Sequence, residues 1–230
     1  MFRVLLIHAG IIPNYRIPIY GHLCDYLRAF GFDVSVVSDG IQPESPHAIR
    51  FPYKKIPLSV RSIARLVRTE HADVIIDYME LKHRYLFPTY LIVKGFMGRK
   101  MIYWGQGGDL LDPKDPFKRI AYALEQSMCE ALVLYAEHLK KYVPKRFHKK
   151  TFVANNTLFL SYPGLPAGTT RASVLSSYGI KTRKNIICVG RMQKRKRIDH
   201  LAAALSRMNR PDIGLILVGP DQEGVLDGIR

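Results

Sequence analysis

A repeating rhythm of short apolar runs narrows the possible folds more than any other feature of the chain. Arg3–His8, Phe32–Ser38, Asp73–Tyr78, Lys100–Trp104, Ala131–Tyr135 and Thr151–Ala154 all read as buried strands. Between most of them apolar side chains repeat at three and four, the spacing of one helix face. Ile19, Leu23, Tyr26, Leu27 and Phe30 do so within Ile17–Phe30, and Ile63, Leu66 and Val67 within Ser59–Thr69. Leu81–Phe96, expected to be interrupted or bent at Pro88, and Phe117–Glu130 complete the main helices. A short basic helix is expected over Glu137–Val143. Parallel strands need a crossover that a helix supplies, so this alternation predicts an α/β fold with a doubly wound, Rossmann-like parallel sheet. Ligands of such sheets bind beyond the carboxyl ends of the strands. The loops after His8, Tyr78, Trp104, Tyr135 and Ala154 are therefore the first places to look for a site.

The rhythm breaks over residues 157–184, which are rich in Pro, Gly, Ser and Thr and carry one expected short helix near Ser173–Tyr178. A second unit then opens with strand Asn185–Val189, a helix over Asp199–Met208 and strand Ile213–Val218. One strand–helix–strand unit cannot cover both faces of a parallel sheet. The expected organisation is a first domain over 1–156, a linker over 157–184 and an incomplete second domain over 185–230.

Composition excludes several classes. The 230 residues are 47% hydrophobic and 23% charged, ordinary for a folded chain and far from a disordered tail. No apolar stretch reaches the roughly 18–20 residues that span a bilayer. Cys24, Cys129 and Cys188 are far apart and odd in number, which suits reduced thiols in a cytoplasmic protein better than a disulfide framework or a metal site. The first residues lack a signal peptide's long apolar core and cleavage site. Lys and Arg number 35 against 19 Asp and Glu, a net charge of +16. That excess fits nucleic acid, an anionic membrane, a phosphorylated ligand or simply a solvated surface.

The segment richest in chemistry runs from Ile187 to Leu201. A buried strand ends in Gly190-Arg191, five cations fall within Arg191–Arg197, and a helix follows with Asp199 as its expected N-cap. Backbone N–H groups at a helix start, with Arg and Lys beside them, suit a phosphate or diphosphate. A solvated charge run has the same composition.

Val189-Gly190-Arg191, then Lys196, then Ile198-Asp199-His200-Leu201, resembles the opening of the donor domain in family 4 glycosyltransferases of the GT-B fold. Ile216-Leu217-Val218-Gly219-Pro220 is similar to that domain's next strand and glycine turn. Val153-Ala154-Asn155-Asn156-Thr157 resembles the segment leading from the acceptor domain into the linker. These motifs cover about a third of the chain, in the family's order. The resemblance implies a GT-B fold and transfer of a sugar from a nucleotide-diphosphate sugar to a lipid-linked or polysaccharide acceptor. It further implies retention of configuration and no metal or other cofactor. By the same resemblance Arg191 and Lys196, with Gly190 and Gly10, hold the donor diphosphate. Fixed cations stabilise the charge that grows on a leaving diphosphate.

The chain departs from the family pattern in three places. Arg197 stands where the family usually has glycine. Gln106, in the loop Trp104-Gly105-Gln106-Gly107-Gly108-Asp109, stands where relatives often place histidine; it can hydrogen-bond a sugar but cannot shuttle a proton at neutral pH. The family's paired glutamates fall beyond position 230, so impaired activity is expected of these residues alone. Gln106 and Asp109 are the catalytic candidates, and Asn14, Trp104 and Asn155 the further pocket candidates. Gly10 reads equally as a turn glycine, and Asp109 and Asn155 equally as capping residues. Basic concentrations at His138–Lys150 and at Arg61, Arg65 and Arg68 suit the acidic inner face of a membrane, or solubility alone. No helix-turn-helix, zinc-finger spacing or RNP-like strand points to nucleic acid. The alternative reading is a non-catalytic module that binds carbohydrate or membrane, with a basic nucleic-acid-binding domain behind it.

Overall fold

A computed structural model describes the chain apart from residues 44, 46, 79–82, 84–86, 158–163 and 230. It divides into two compact units, residues 1–161 and 162–230.

The first unit is built on a seven-stranded sheet in the order β3-β2-β1-β4-β5-β6-β7, with every neighbouring pair parallel. The strands are β1 Phe2–Ile12, β2 Phe32–Ile41, β3 Tyr53–Lys55, β4 Val74–Tyr78, β5 Lys100–Gly105, β6 Ala131–Leu134 and β7 Thr151–Val153. β1 shows why both faces must be covered: Val4 to Ala9 are buried in succession. Alternate side chains leave on opposite faces. Val4 and Leu6 pack with Ile17, Tyr20 and Cys24 of α1 (Arg16–Arg28). Leu5 and Ile7 pack with Ile63 and Val67 of α2 (Val60–Thr69), and with Tyr90 and Val93. Ser59 caps α2 in a reciprocal box with Ser62, and Asp115 caps α4 (Pro116–Met128) through the N–H groups of Phe117 and Lys118.

The structure corrects the sequence reading in several places. β1 does not end at His8: a bulge between His8 and Ile11, with Gly10 at φ 87°, carries it on to Ile12. β3, a short edge strand, was not expected. Of the helix expected over Leu81–Phe96, residues 81, 82 and 84–86 lie outside the described residues. Among the described residues α-helical backbone begins at Pro88, where a missing N–H costs nothing, and proline opens α3 (Pro88–Tyr90). α3 runs directly into a π-helical turn, Leu91–Phe96. The basic segment after β6 forms two 3₁₀ turns, Glu137–Tyr142 and Lys145–Lys150.

The second unit holds α5 (Arg171–Ser177), capped by Thr170, then β8 (Lys184–Val189), α6 (Ile198–Arg207) and β9 (Ile213–Val218). β8 and β9 pair in parallel from Lys184↔Ile213 to Val189↔Val218. Asp199 is not the N-cap of α6. That position belongs to Arg197, in the left-handed region at φ 54°, and Asp199 lies inside the first turn.

Candidate functional site

In the first unit the strand order reverses between β1 and β4, since the chain moves outward through β2 and β3 before returning to β4. Such a switch point opens a crevice at the carboxyl ends of the strands. His8 ends the regular part of β1 opposite Tyr78 at the end of β4, and their rings stack with centroids 4.7 Å apart. Trp104, from β5, meets Tyr78 edge-on at 6.0 Å, and Tyr135, just past β6, lies 6.1 Å from Tyr78. Tyr20 of α1 hydrogen-bonds His8 Nδ1 at 2.6 Å. Four strand ends and one helix thus converge in a single aromatic cluster.

Arg16 sits inside this cluster and is 2% exposed. Its guanidinium carbon lies 4.7 Å from the Tyr78 ring centre, 5.1 Å from that of Tyr135 and 5.5 Å from that of Trp104. One amino group donates to Tyr135 Oη at 2.9 Å and to Tyr78 Oη at 3.3 Å. Burial works against the charge, but the surrounding phenols, Tyr135 and then Tyr78 foremost, outweigh it and hold the guanidinium above its ordinary value. The same burial pushes Tyr20 and Tyr135 far up, so both stay neutral phenols. Cation–π contacts between desolvated groups are worth about 2 kcal/mol. A buried unpaired charge costs several kcal/mol even after relaxation. The aromatic cluster thus stabilises the buried guanidinium while supplying no carboxylate or other formal counter-ion.

Arg16, Trp104 and Tyr135 line a cavity of about 350 Å³, whose walls come from Ile19 and Leu23 of α1 and from Asn155 beyond β7. Two buried donors of these lining residues, Arg16 Nε and Trp104 Nε1, have no hydrogen-bond partner among the described residues. The structure thus brings Trp104 and Asn155, both expected from strand-end position, into one pocket. Asn14 lies just before α1, donating its N–H to Gln42 Oε1 at 3.3 Å, while its buried side-chain oxygen has no partner among the described residues. Gln106 is exposed at the rim of a much smaller recess, about 30 Å³, between Tyr78, Trp104 and Tyr135. Its loop is pinned because Gly107 donates to Tyr103 Oη at 3.0 Å and accepts from Gln126 Nε2 at 2.8 Å. Gly10 donates to Asp39 Oδ2 at 3.2 Å. Asp109 lies apart, on a groove of about 650 Å³ beside α4. Its carboxylate accepts from the Leu111 and Asp112 amides and pairs with Lys118 at 2.8 Å, and the hydrogen bond to Lys118 draws its pKa down.

In the second unit Gly190 ends β8 at φ 147°, a backbone open only to glycine, and Gly219 ends β9 at φ 138°. A Cβ on Gly219 would fall 2.1 Å from the Gly190 carbonyl oxygen, so the two strand ends approach too closely for any side chain there. Met192 and Ile198 are buried and anchor the loop on either side of its cations. Arg191 and Lys196 are exposed, and among the described residues neither side chain makes a hydrogen bond or ion pair. Among the described residues no side chain caps α6. The loop therefore presents free cations and uncapped amides, an arrangement able to hold phosphate oxygens.

The sequence reading missed Arg16, Tyr78, Tyr135, His8 and Tyr20. One signal was available: an aromatic residue stands at or just past the end of β4, β5 and β6 in turn. Arg16 gave no such signal, because only the return of α1 across the sheet brings it among them.

No protein-family model matches the sequence, and no curated protein matches it. Solved structures match along its whole length. Anabaena HepE in complex with UDP-glucose shares 14% identity at a TM-score of 0.65, over 100% of this chain and 64% of that one. Staphylococcus aureus MnaA in a co-structure with UDP shares 11% at 0.60, over 99% and 65%. WaaG, a glycosyltransferase involved in lipopolysaccharide biosynthesis, shares 13% at 0.58, over 99% and 66%. The chain thus spans just under two thirds of the length of these structures. At such identities the likeness establishes the fold: a GT-B-type α/β architecture, with a doubly wound, Rossmann-like parallel-sheet unit followed by a smaller α/β unit.

Proposed function

We propose that this chain is part of a retaining glycosyltransferase of family 4, moving a sugar from a nucleotide-diphosphate sugar to a glycan or lipid-linked acceptor. The observation that carries this reading is the β8–α6 loop, where glycine-only backbone leaves Arg191 and Lys196 unpaired beside an uncapped helix start. Arg191 and Lys196 take the diphosphate, and Gly190 and Gly219 keep Cβ atoms out of its way. As the bond from the anomeric carbon to the diphosphate oxygen breaks, the diphosphate departs with the electron pair. An acceptor hydroxyl oxygen bonds to the anomeric carbon in its place, and the hydroxyl proton passes to the departing diphosphate. The two cations stabilise the charge that develops on it, the role a divalent metal otherwise fills. The aromatic crevice of the first unit, with Trp104 and Asn155, serves the acceptor, and Gln106 offers an amide to a sugar hydroxyl. Asp109 braces the loop that carries Gln106. The enzyme works in the cytoplasm against the anionic inner face of a membrane.

Isothermal titration with UDP tests the donor half. Charge-assisted hydrogen bonds are worth about 1.5–3 kcal/mol, so Arg191→Ala and Lys196→Ala should each weaken UDP by roughly tenfold or more. Unchanged affinity in the double variant would overturn the assignment. Formation of a sugar epimer from a UDP-sugar, without transfer of the sugar to an acceptor, would replace transfer with epimerisation.

A further inference from the structure

Arg16 and Trp104 share a chemical property that narrows what their cavity can hold. A guanidinium and an indole N–H are donors only. Both residues line the same cavity, and among the described residues Arg16 Nε and Trp104 Nε1 have no acceptor. Among the described residues Arg16 makes no ion pair, and its neighbours are phenol hydroxyls and ring faces. Water could accept one of these hydrogen bonds but would leave the positive charge without a counter-ion. An oxyanion satisfies both donors and the charge together. Beside these donors, Ile19 and Leu23 form an apolar wall and Asn155 gives the rim a polar group. The pocket is therefore shaped for one anionic group carried on a larger body.

We propose that this crevice seats an acidic group of the acceptor, a carboxylate or a phosphate, with Arg16 as its counter-ion and the Trp104 indole N–H as its second donor. The word acceptor rests on the glycosyltransferase reading, whereas the anion site stands on the first unit alone. Neutral sugars bind here poorly because they leave Arg16 uncompensated.

Trp104 is the sole tryptophan of the chain, so its fluorescence reports directly on the site. The full chain is titrated with glucuronate, glucose 1-phosphate and glucose. One of the two anions should give a saturable change at an affinity at least tenfold above that of glucose, and which one does so identifies the acidic group. Arg16→Met should weaken that anion at least tenfold. Arg16→Lys keeps the charge but loses the planar fork, and should fall between the two. Circular dichroism checks that each variant folds; if Arg16→Met does not, the Arg16→Lys comparison decides. Equal affinity for glucose and both anions, no response to either anion, or wild-type affinity in the folded Arg16 variants would overturn the proposal. A UDP response that disappears in Arg16→Met would assign the cation to the donor and overturn it too. UDP binding through Arg191 is measured on the same preparation. Its loss with the anion response intact sinks the donor reading alone, and the converse sinks this inference alone.

Discussion

Arg197 holds φ 54° and ψ 41° immediately before α6, where the glycosyltransferase pattern has glycine. The backbone conformation that favours glycine is thus kept although the residue has changed. A left-handed L-residue other than glycine costs about 1–2 kcal/mol. Glycine in turn gives up about 0.4–1 kcal/mol through a freer unfolded chain. Arg197→Gly should therefore raise the stability of the second unit by up to about 1.5 kcal/mol, whereas Arg197→Ala, with the same backbone penalty, should leave it near wild type. Urea unfolding of the full chain, followed by circular dichroism, measures both. A lower midpoint for the glycine variant would mean that the arginine side chain stabilises the loop. If the fifth cation of Arg191–Arg197 also reaches the donor, UDP affinity should fall in both variants alike, which separates charge from backbone.

Among the secondary-structure elements, the first unit is tied together on the α3 side of its sheet by a buried proton chain. Tyr90 of α3 hydrogen-bonds Asp77 of β4 and, at 2.9 Å, Glu125 of α4. One phenolic hydrogen cannot serve two carboxylates, so the arrangement calls for a proton on one of them. Burial pushes Asp77 up to about 7 against the pull of the Tyr90 hydrogen bond, and pushes Glu125 up to about 8 with the Asp77 charge adding to it. Cys129, whose thiol donates to the Glu125 carbonyl oxygen, is also held neutral by burial. Both carboxyl groups titrate near pH 4 in an unfolded chain. Between about pH 4 and 8 the folded unit keeps protons the unfolded chain has released, so this contribution is full below about pH 4 and disappears as pH rises through 7 and 8. Its slope reaches about 1.4 kcal/mol per pH unit for each retained proton. Asp77→Asn, which needs no proton, should flatten the change in urea midpoint between pH 5 and 8. Trp104 fluorescence follows the first unit, and an unaltered slope would exclude the pair as its source. The elements carrying this chain were unevenly legible. β4 and α4 were plain because Ile75 and the spacing of α4 announce burial. The start of α3 was not, since proline reads equally as a bend or a first residue. β3 escaped because Tyr53-Lys54-Lys55 is short, polar and at the edge, where pairing follows its neighbour rather than its own pattern. In the same way Trp104 and Asn155 followed from the strand-end rule, but Arg16 did not, its surroundings being assembled from four strands distant in sequence.

At the scale of the whole molecule, a net charge of +16 says that an anionic partner is favoured without saying which one. The surface of α4 narrows the choice. Phe117, Ile120 and Leu124 fall at helical spacing on its outer face, exposed by 82%, 66% and 51%, and Leu111 in the preceding loop is exposed by 95%. Ile120 lines the groove that Lys141 lines from the 3₁₀ turn after β6, so the apolar stripe adjoins the basic segment Glu137–Lys150. Nucleic acid would use the cations and leave Leu111 and Phe117 in water, whereas a bilayer surface uses both. Among the described residues no helix is long and apolar enough to cross a membrane, so the contact proposed is a peripheral one. Each Lys or Arg near an anionic leaflet contributes about 1 kcal/mol, and a buried Leu or Phe side chain roughly 1.5–3 kcal/mol. Cosedimentation with phosphatidylserine-containing vesicles should therefore exceed that with phosphatidylcholine alone and fall as salt rises. Leu111→Asp with Phe117→Asp should reduce it at least tenfold while leaving UDP affinity unchanged. Affinity for duplex DNA equal to that for the acidic vesicles, untouched by the Leu111 and Phe117 changes, would show that charge alone governs the surface and that the apolar stripe has another partner.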